Sequence, residues 1–275
     1  MIRFLRVIDM PFKFPLEIEE TILNFLTEDE DEDDSEDEDN KGLSLATLKT
    51  CSLVCRAFLP ICRKHIFGTI DLRDGFGQES VIHAFDRLLR GTPEIADYIR
   101  KLDYTILNEN LTLSVQEPFR RISRLKVLAI RNFYHSGFNW GNNPIRSELL
   151  HLLHLPTLTH FMMSGIDDFV VSDLIPCVNL KLLDIGLNTN VAAENSFPAA
   201  LPEHSIQLNE FESSIETSDA IMKLCSARRP DGLPIIDFGS LSKLKVCPEE
   251  RNEGEASREL LRHCRVLTEV KLSCK

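Results

Sequence analysis

The sequence predicts an α/β protein in two parts, a small N-terminal helical module and then a solenoid of irregular repeats. Three observations carry this expectation. Short triplets of the form apolar-x-x-apolar-x-apolar recur through the second part, as buried strands would. Helix-like stretches separate them, as strand–crossover–strand units require. In the first part, two apolar pieces at helical spacing flank a run of acid.

The first part covers residues 12–68, after an extension of residues 1–11. Pro15 suits the first turn of a helix, where a missing N–H costs nothing. Glu17, Glu19 and Glu20 then lie near the positive end of the helix dipole. Ile18, Ile22, Phe25 and Leu26 share one face. Ser44 is placed to cap a second helix carrying Leu45, Leu48 and Ser52 or Cys55 on one side, and Pro60 opens a third stretch stopped at Gly68. Between the first and second helices, residues 27–42 form a disordered insertion. Eleven of the twelve residues from Glu28 to Asp39 are acidic, and like charges with nothing apolar to bury do not fold. Leu16, Leu53, Val54 and Phe58 exceed what so small a core needs, which points to a partner's surface.

The second part spans residues 69–275. Its triplets are Ile99/Leu102/Tyr104, Leu125/Leu128/Ile130, Leu158/Phe161/Met163, Leu180/Leu183/Ile185, a partial copy at Leu208/Phe211, Leu241/Leu244/Val246 and Leu267/Val270/Leu272. Successive offsets are 26, 33, 22, 28, 33 and 26 residues, close to the leucine-rich-repeat period of about 20–29 with longer insertions. Helices are expected over Glu79–Arg90 and Arg146–His154. Asn132 and Asn188 are the only plausible ladder asparagines, so the repeats are of the irregular kind. A general α/β domain is the alternative reading of the same spacing.

Charge narrows the classes of partner. The net charge is −12, yet the acidic run holds eleven of the 43 carboxylates, leaving 32 against 31 basic residues elsewhere. No basic stripe exists to displace counterions, so nucleic acid is not an expected partner; Arg120, Arg121, Arg124 and Lys126 read as a solvated helix end. No apolar run is long enough for a membrane span. Eight cysteines without paired spacing suit reduced thiols, hence cytoplasm or nucleus. Neither Cys51, Cys55, Cys62 and His65 nor His151, His154 and His160 has a metal-ligand pattern, and no cofactor is expected. Nucleophile elbows, phosphate loops and zinc-protease motifs are lacking, and Ser, His and Asp near His160–Asp168 lack the context of a triad. Ser35, followed by Glu36, Asp37 and Glu38, fits an acidophilic-kinase phosphosite. Trp140, on a loop rich in glycine and asparagine, reads either as an anchor for a target protein or as a ring folded back onto a repeat edge.

Taken in order, Phe14-Pro15-Leu16-Glu17-Ile18, Leu48, Cys51-Ser52-Leu53-Val54-Cys55-Arg56 and Phe58 resemble an F-box. Arg63-Lys64-His65-Ile66-Phe67, Thr69-Ile70-Asp71-Leu72 and the segment Pro93 to Leu102 resemble the form common in mushroom-type fungal F-box proteins. Phe14 stands where that family has leucine, and the acidic insertion replaces a short connection. Lengthening a loop costs only about 0.6 kcal/mol per doubling, so the module can still close. The resemblance implies an adaptor of an SCF ubiquitin ligase, not an enzyme. Phe14, Pro15, Leu16, Ile18, Leu48, Leu53, Val54, Cys55, Arg56 and Phe58 would bind the SKP-family linker, and through it a cullin and a RING protein. The repeats would hold a target protein, and the contribution to ubiquitin transfer would be proximity alone. Two other readings remain, a repeat scaffold outside any ligase and an acidic-tract binder of basic client proteins.

Overall fold

The computed structural model describes residues 46–50, 52–53, 58–73, 81–106, 116–132, 138–192, 197, 200–247 and 251–272. The chain divides into two compact units, residues 1–69 and 70–275.

In the first unit, residues 46–50 and 52–53 are helical, followed by the helix Phe58–Ile66. Phe58, Ile61, Cys62 and Ile66 recur at helical spacing and so share one face. Ile61 and Cys62 form a small buried cluster with Leu48, and Phe58 and Ile66 pack against it. Pro60 falls in the first turn, where backbone N–H groups have no intrahelical acceptor. Arg63, Lys64 and His65 fill the last turn, next to the negative end of the dipole. The expected first helix, residues 12–26, and the acidic insertion lie outside the described residues.

In chain order the strands are β1 (Thr69–Leu72), β2 (Lys101–Thr105), β3 (Val127–Arg131), β4 (Phe138–Asn139), β5 (His160–Ser164), β6 (Ile166–Asp167), β7 (Phe169–Val170), β8 (Leu182–Ile185), β9 (Val191–Ala192), β10 (Ile206–Gln207), β11 (Glu210–Ser213), β12 (Ile236–Asp237), β13 (Lys243–Val246) and β14 (Glu269–Leu272). Eight of them make one sheet in the order β1-β2-β3-β5-β8-β11-β13-β14, parallel from β2 onward. Three two-residue parallel pairs, β4–β6, β7–β9 and β10–β12, accompany it.

Each apolar triplet ends in a strand of the large sheet, and the register stacks equivalent positions. Leu102, Leu128, Phe161, Leu183, Phe211, Leu244 and Val270 form one row across seven strands. Tyr104, Ile130, Met163, Ile185, Ser213, Val246 and Leu272 form the next. Every member of both rows before β14 is buried. Complete burial of one such side chain contributes about 1.5–3 kcal/mol, so these rows dominate the stability of the sheet. Tyr104 meets Phe119 edge-on at 5.2 Å between ring centroids, and Phe211 meets Phe238 in the same way at 5.8 Å.

The irregular leucine-rich-repeat solenoid that the spacing predicts is corrected by this architecture, which is an α/β fold on one large, mostly parallel sheet. A solenoid repeats one coil, whereas here the crossovers differ in kind. The helix Val81–Gly91 and the 3-10 turn Pro93–Tyr98 join β1 to β2, and a six-residue helix, Gln116–Arg121, joins β2 to β3. Arg146–Leu153 precedes β5, only the 3-10 turn Val171–Leu174 lies between β7 and β8, and Ser218–Ser226 and Arg251–His263 follow β11 and β13. The periodicity in the sequence is that of strand plus crossover, which any parallel sheet with sequential strand order shares.

Candidate interaction face

A strand presents alternate residues to opposite faces, so the residues between the buried rows share the other face of the sheet. One row there reads Lys101, Val127, His160, Leu182, Glu210, Lys243 and Glu269, and the next Asp103, Ala129, Met162, Asp184, Glu212, Lys245 and Lys271. Most of these side chains are half-buried or exposed. The face is charged at its flanks and mixed at its centre. On one flank Arg131 pairs with Asp103 at 3.1 Å. On the other, Lys245 pairs with Glu212 at 3.0 Å, Lys243 approaches Glu210 at 4.0 Å, and Lys271 meets Glu269 at 3.2 Å. Between the flanks lie the half-buried Val127, Met162 and Leu182, apolar groups on an otherwise polar surface, around the fully buried Ala129.

Asp184 sits in that centre and has no ion-pair partner among the described residues. Burial, and secondarily the neighbouring Glu212 carboxylate, push its pKa up from 3.8 to about 6, against the weaker opposing pull of Lys245 and Arg131. Burial also raises Asp103, outweighing its pair with Arg131. An acid raised in the folded state holds its proton more tightly there than in the unfolded chain. Its contribution therefore favours folding below about pH 4 and is lost as pH rises through the window from 3.8 to about 6. Asp184→Asn should remove that component, gaining on the wild type by up to about 3 kcal/mol between pH 4 and 6.5. Urea unfolding of both proteins across that range reads the difference, and parallel stability profiles would refute it.

Ser164 and His160 share a face of β5, but four residues of strand hold them about 13 Å apart. Ser164 Oγ donates to the Leu187 carbonyl, and His160 Nδ1 is engaged by Thr159 Oγ1 at 2.7 Å. Among the described residues, no group of three or more His, Cys, Asp or Glu is placed to hold a metal ion. Burial pushes the Cys177 and Cys225 thiols up to about 12, far from the range of a reactive thiolate. No helix among the described residues is long and apolar enough to cross a membrane.

Of the linker-binding residues expected from the resemblance, Phe14, Pro15, Leu16, Ile18, Val54, Cys55 and Arg56 lie outside the described residues, as does Ser35. Leu53 is 84% exposed. Leu48 is corrected, since it is buried in the first unit's cluster and spends its side chain on the module's own core. Phe58 is half-buried against the same cluster. Trp140 is corrected as an anchor for a target. Its ring is fully buried 5.0 Å from Phe169, and its Nε1 donates to Asp173 Oδ2 at 2.6 Å. Arg146 pairs with the same carboxylate at 2.8 Å, so an indole on a polar loop is drawn inward by a buried acceptor. Arg120, expected to be solvated, is exposed, and its guanidinium also donates to the wholly buried Glu148 at 3.0 Å.

Sequence reasoning did not find the open sheet face. Its signal was present in the residues between the apolar positions, as in Lys243-Leu244-Lys245 opposite Glu210-Phe211-Glu212. That complementarity becomes visible only once those two segments are known to be neighbours. No family model matches the chain, and no curated protein or solved structure matches it either.

Proposed function

We propose that the chain is a protein-binding adaptor of the SCF type, docking an SKP-family linker through its N-terminal module and holding a target protein on the open face of the sheet. The observation that carries this reading is Leu53. It stands 84% exposed five residues after the buried Leu48, so the module presents a large apolar side chain that its own core does not use. Exposed apolar surface on so small a unit fits a partner. The sheet face supports the second half of the reading, since apolar groups ringed by charged pairs resemble the composition of a protein interface with a polar rim.

The test is co-expression of the full chain with an SKP-family linker. The wild type should co-purify with it, and Leu53→Asp should weaken that binding about 10- to 100-fold, the worth of one buried leucine. The same variant should leave the thermal unfolding of the sheet unchanged, because so exposed a side chain contributes little burial. Deleting residues 28–39 should leave linker binding intact. Failure of the wild type to bind the linker, or full binding by Leu53→Asp, refutes the reading. Binding of the linker without recruitment of a cullin would instead favour a scaffold outside any ligase.

A further inference from the structure

Nine large hydrophobic side chains stand exposed among the described residues, and four of them, Leu261, Val266, Val270 and Leu272, fall between residues 261 and 272. Val270 and Leu272 continue the two buried rows of the sheet, yet they are 49% and 65% exposed. Their strand, β14, is an outer strand that pairs with β13 on one side. The Glu269 N–H donates to the Ser242 carbonyl, so the backbone groups of Glu269 and Lys271 face β13. Successive residues of a strand direct these groups to opposite sides, so those of Val270 and Leu272 face outward.

We propose that this edge pairs with the same edge of a second copy of the chain. The two β14 strands run antiparallel about a two-fold axis at Val270, and Glu269 of each copy meets Lys271 of the other. The charge pattern selects this register. Centring the axis on Lys271 sets lysine against lysine, and centring it on Glu269 sets glutamate against glutamate. A slip of one residue sends apolar and charged side chains to the same face. Only the axis at Val270 joins opposite charges on the open face, sets valine against valine on the apolar face, and uses outward backbone groups for the central pair. A lone lysine on an edge strand ordinarily repels a second edge; Glu269, two positions earlier, cancels that repulsion in one alignment. The occupant is thus a second copy of this chain, because the strand is complementary to itself. The pairing does not depend on linker binding.

A four-residue strand pair makes a small interface, so weak association is expected, with a dissociation constant of about 10–100 μM. Sedimentation equilibrium of the full chain over roughly 10–500 μM reads it. Glu269→Lys and Lys271→Glu each set like charges opposite at two places in the dimer, and each alone should weaken association roughly ten-fold or more. Mixed in equal amounts, the two variants should associate at wild-type strength, since each then offers the charge the other lacks. Circular dichroism establishes that both variants are folded. A wild type that stays monomeric throughout, single variants that associate as the wild type does, or a mixture that fails to associate would each overturn the proposal.

Discussion

Gly165→Ala is expected to destabilise the second unit by about 4 kcal/mol or more, a large share of the stability of any domain. Gly165 joins β5 to β6 with φ at +68°, a left-handed conformation that costs another residue about 1–2 kcal/mol. The larger part is steric. A Cβ there would lie 2.0 Å from the carbonyl oxygen of Asn132, which is backbone at the end of β3 and not a movable side-chain tip. That close approach is held from both sides. The Asn132 N–H donates to the Ser164 carbonyl at 2.8 Å, Asn132 Nδ2 donates to the Gly165 carbonyl at 3.1 Å, and the Gly165 N–H donates onward to Leu187 at 2.8 Å. Relieving the overlap therefore means separating three adjacent segments of chain. Gly232→Ala is the control. Gly232 also has positive φ, at +84°, but a Cβ there meets nothing within 4 Å. Its cost should stay near the conformational 1–2 kcal/mol, roughly. Urea denaturation of both variants separates the two causes, and equal losses would show that the approach to Asn132 is not what Gly165 provides.

Trp140→Ala should cost about 3–5 kcal/mol, the range for emptying a fully buried aromatic site. The indole packs on Phe169, which in turn lies 5.9 Å from Phe161 in the main buried row, so the cavity would open beside the core of the sheet. Asp173 adds an electrostatic part. Its carboxylate accepts from Trp140 Nε1 and from Arg146, and its backbone carbonyl lies 2.8 Å from His154 Nε2. Removing the indole leaves a mostly buried carboxylate with one donor fewer. Trp140→Phe divides the effect. It keeps most of the packing and loses the hydrogen bond, so about 1–2 kcal/mol is expected. Both values come from chemical denaturation followed by far-ultraviolet circular dichroism, because the only tryptophan is the residue replaced. A loss below about 1 kcal/mol for Trp140→Ala would contradict its place in the core.

How much the sequence discloses differs from element to element. The triplets mark strands correctly because a buried strand needs apolar residues at alternate positions, and Leu102/Tyr104 or Leu183/Ile185 satisfy that within three residues. The helices expected at Glu79–Arg90 and Arg146–His154 occur at Val81–Gly91 and Arg146–Leu153, their ends set by local apolar spacing and by the chain breaker Pro156. The solenoid went wrong at the next level. A similar distance between strands does not require a similar path between them, and these crossovers differ from one pair to the next. The two readings of Trp140 were not separable from sequence for a related reason. Glycine and asparagine around it signal a loop, but Asp173, which draws the indole inward, lies 33 residues away.

Local chemistry, then, determined by itself where strands and helices form and that the catalytic motifs sought are missing. Those properties depend on residues within one turn or one strand of each other. Tertiary structure alone decided which side chains meet. The cross-strand ion pairs of the open face, the raised pKa of Asp184 and the burial of Glu148 all arise between segments 20 or more residues apart. Parallel pairing brings such segments together only after each crossover has closed, and the register in which it closes sets which charges become neighbours.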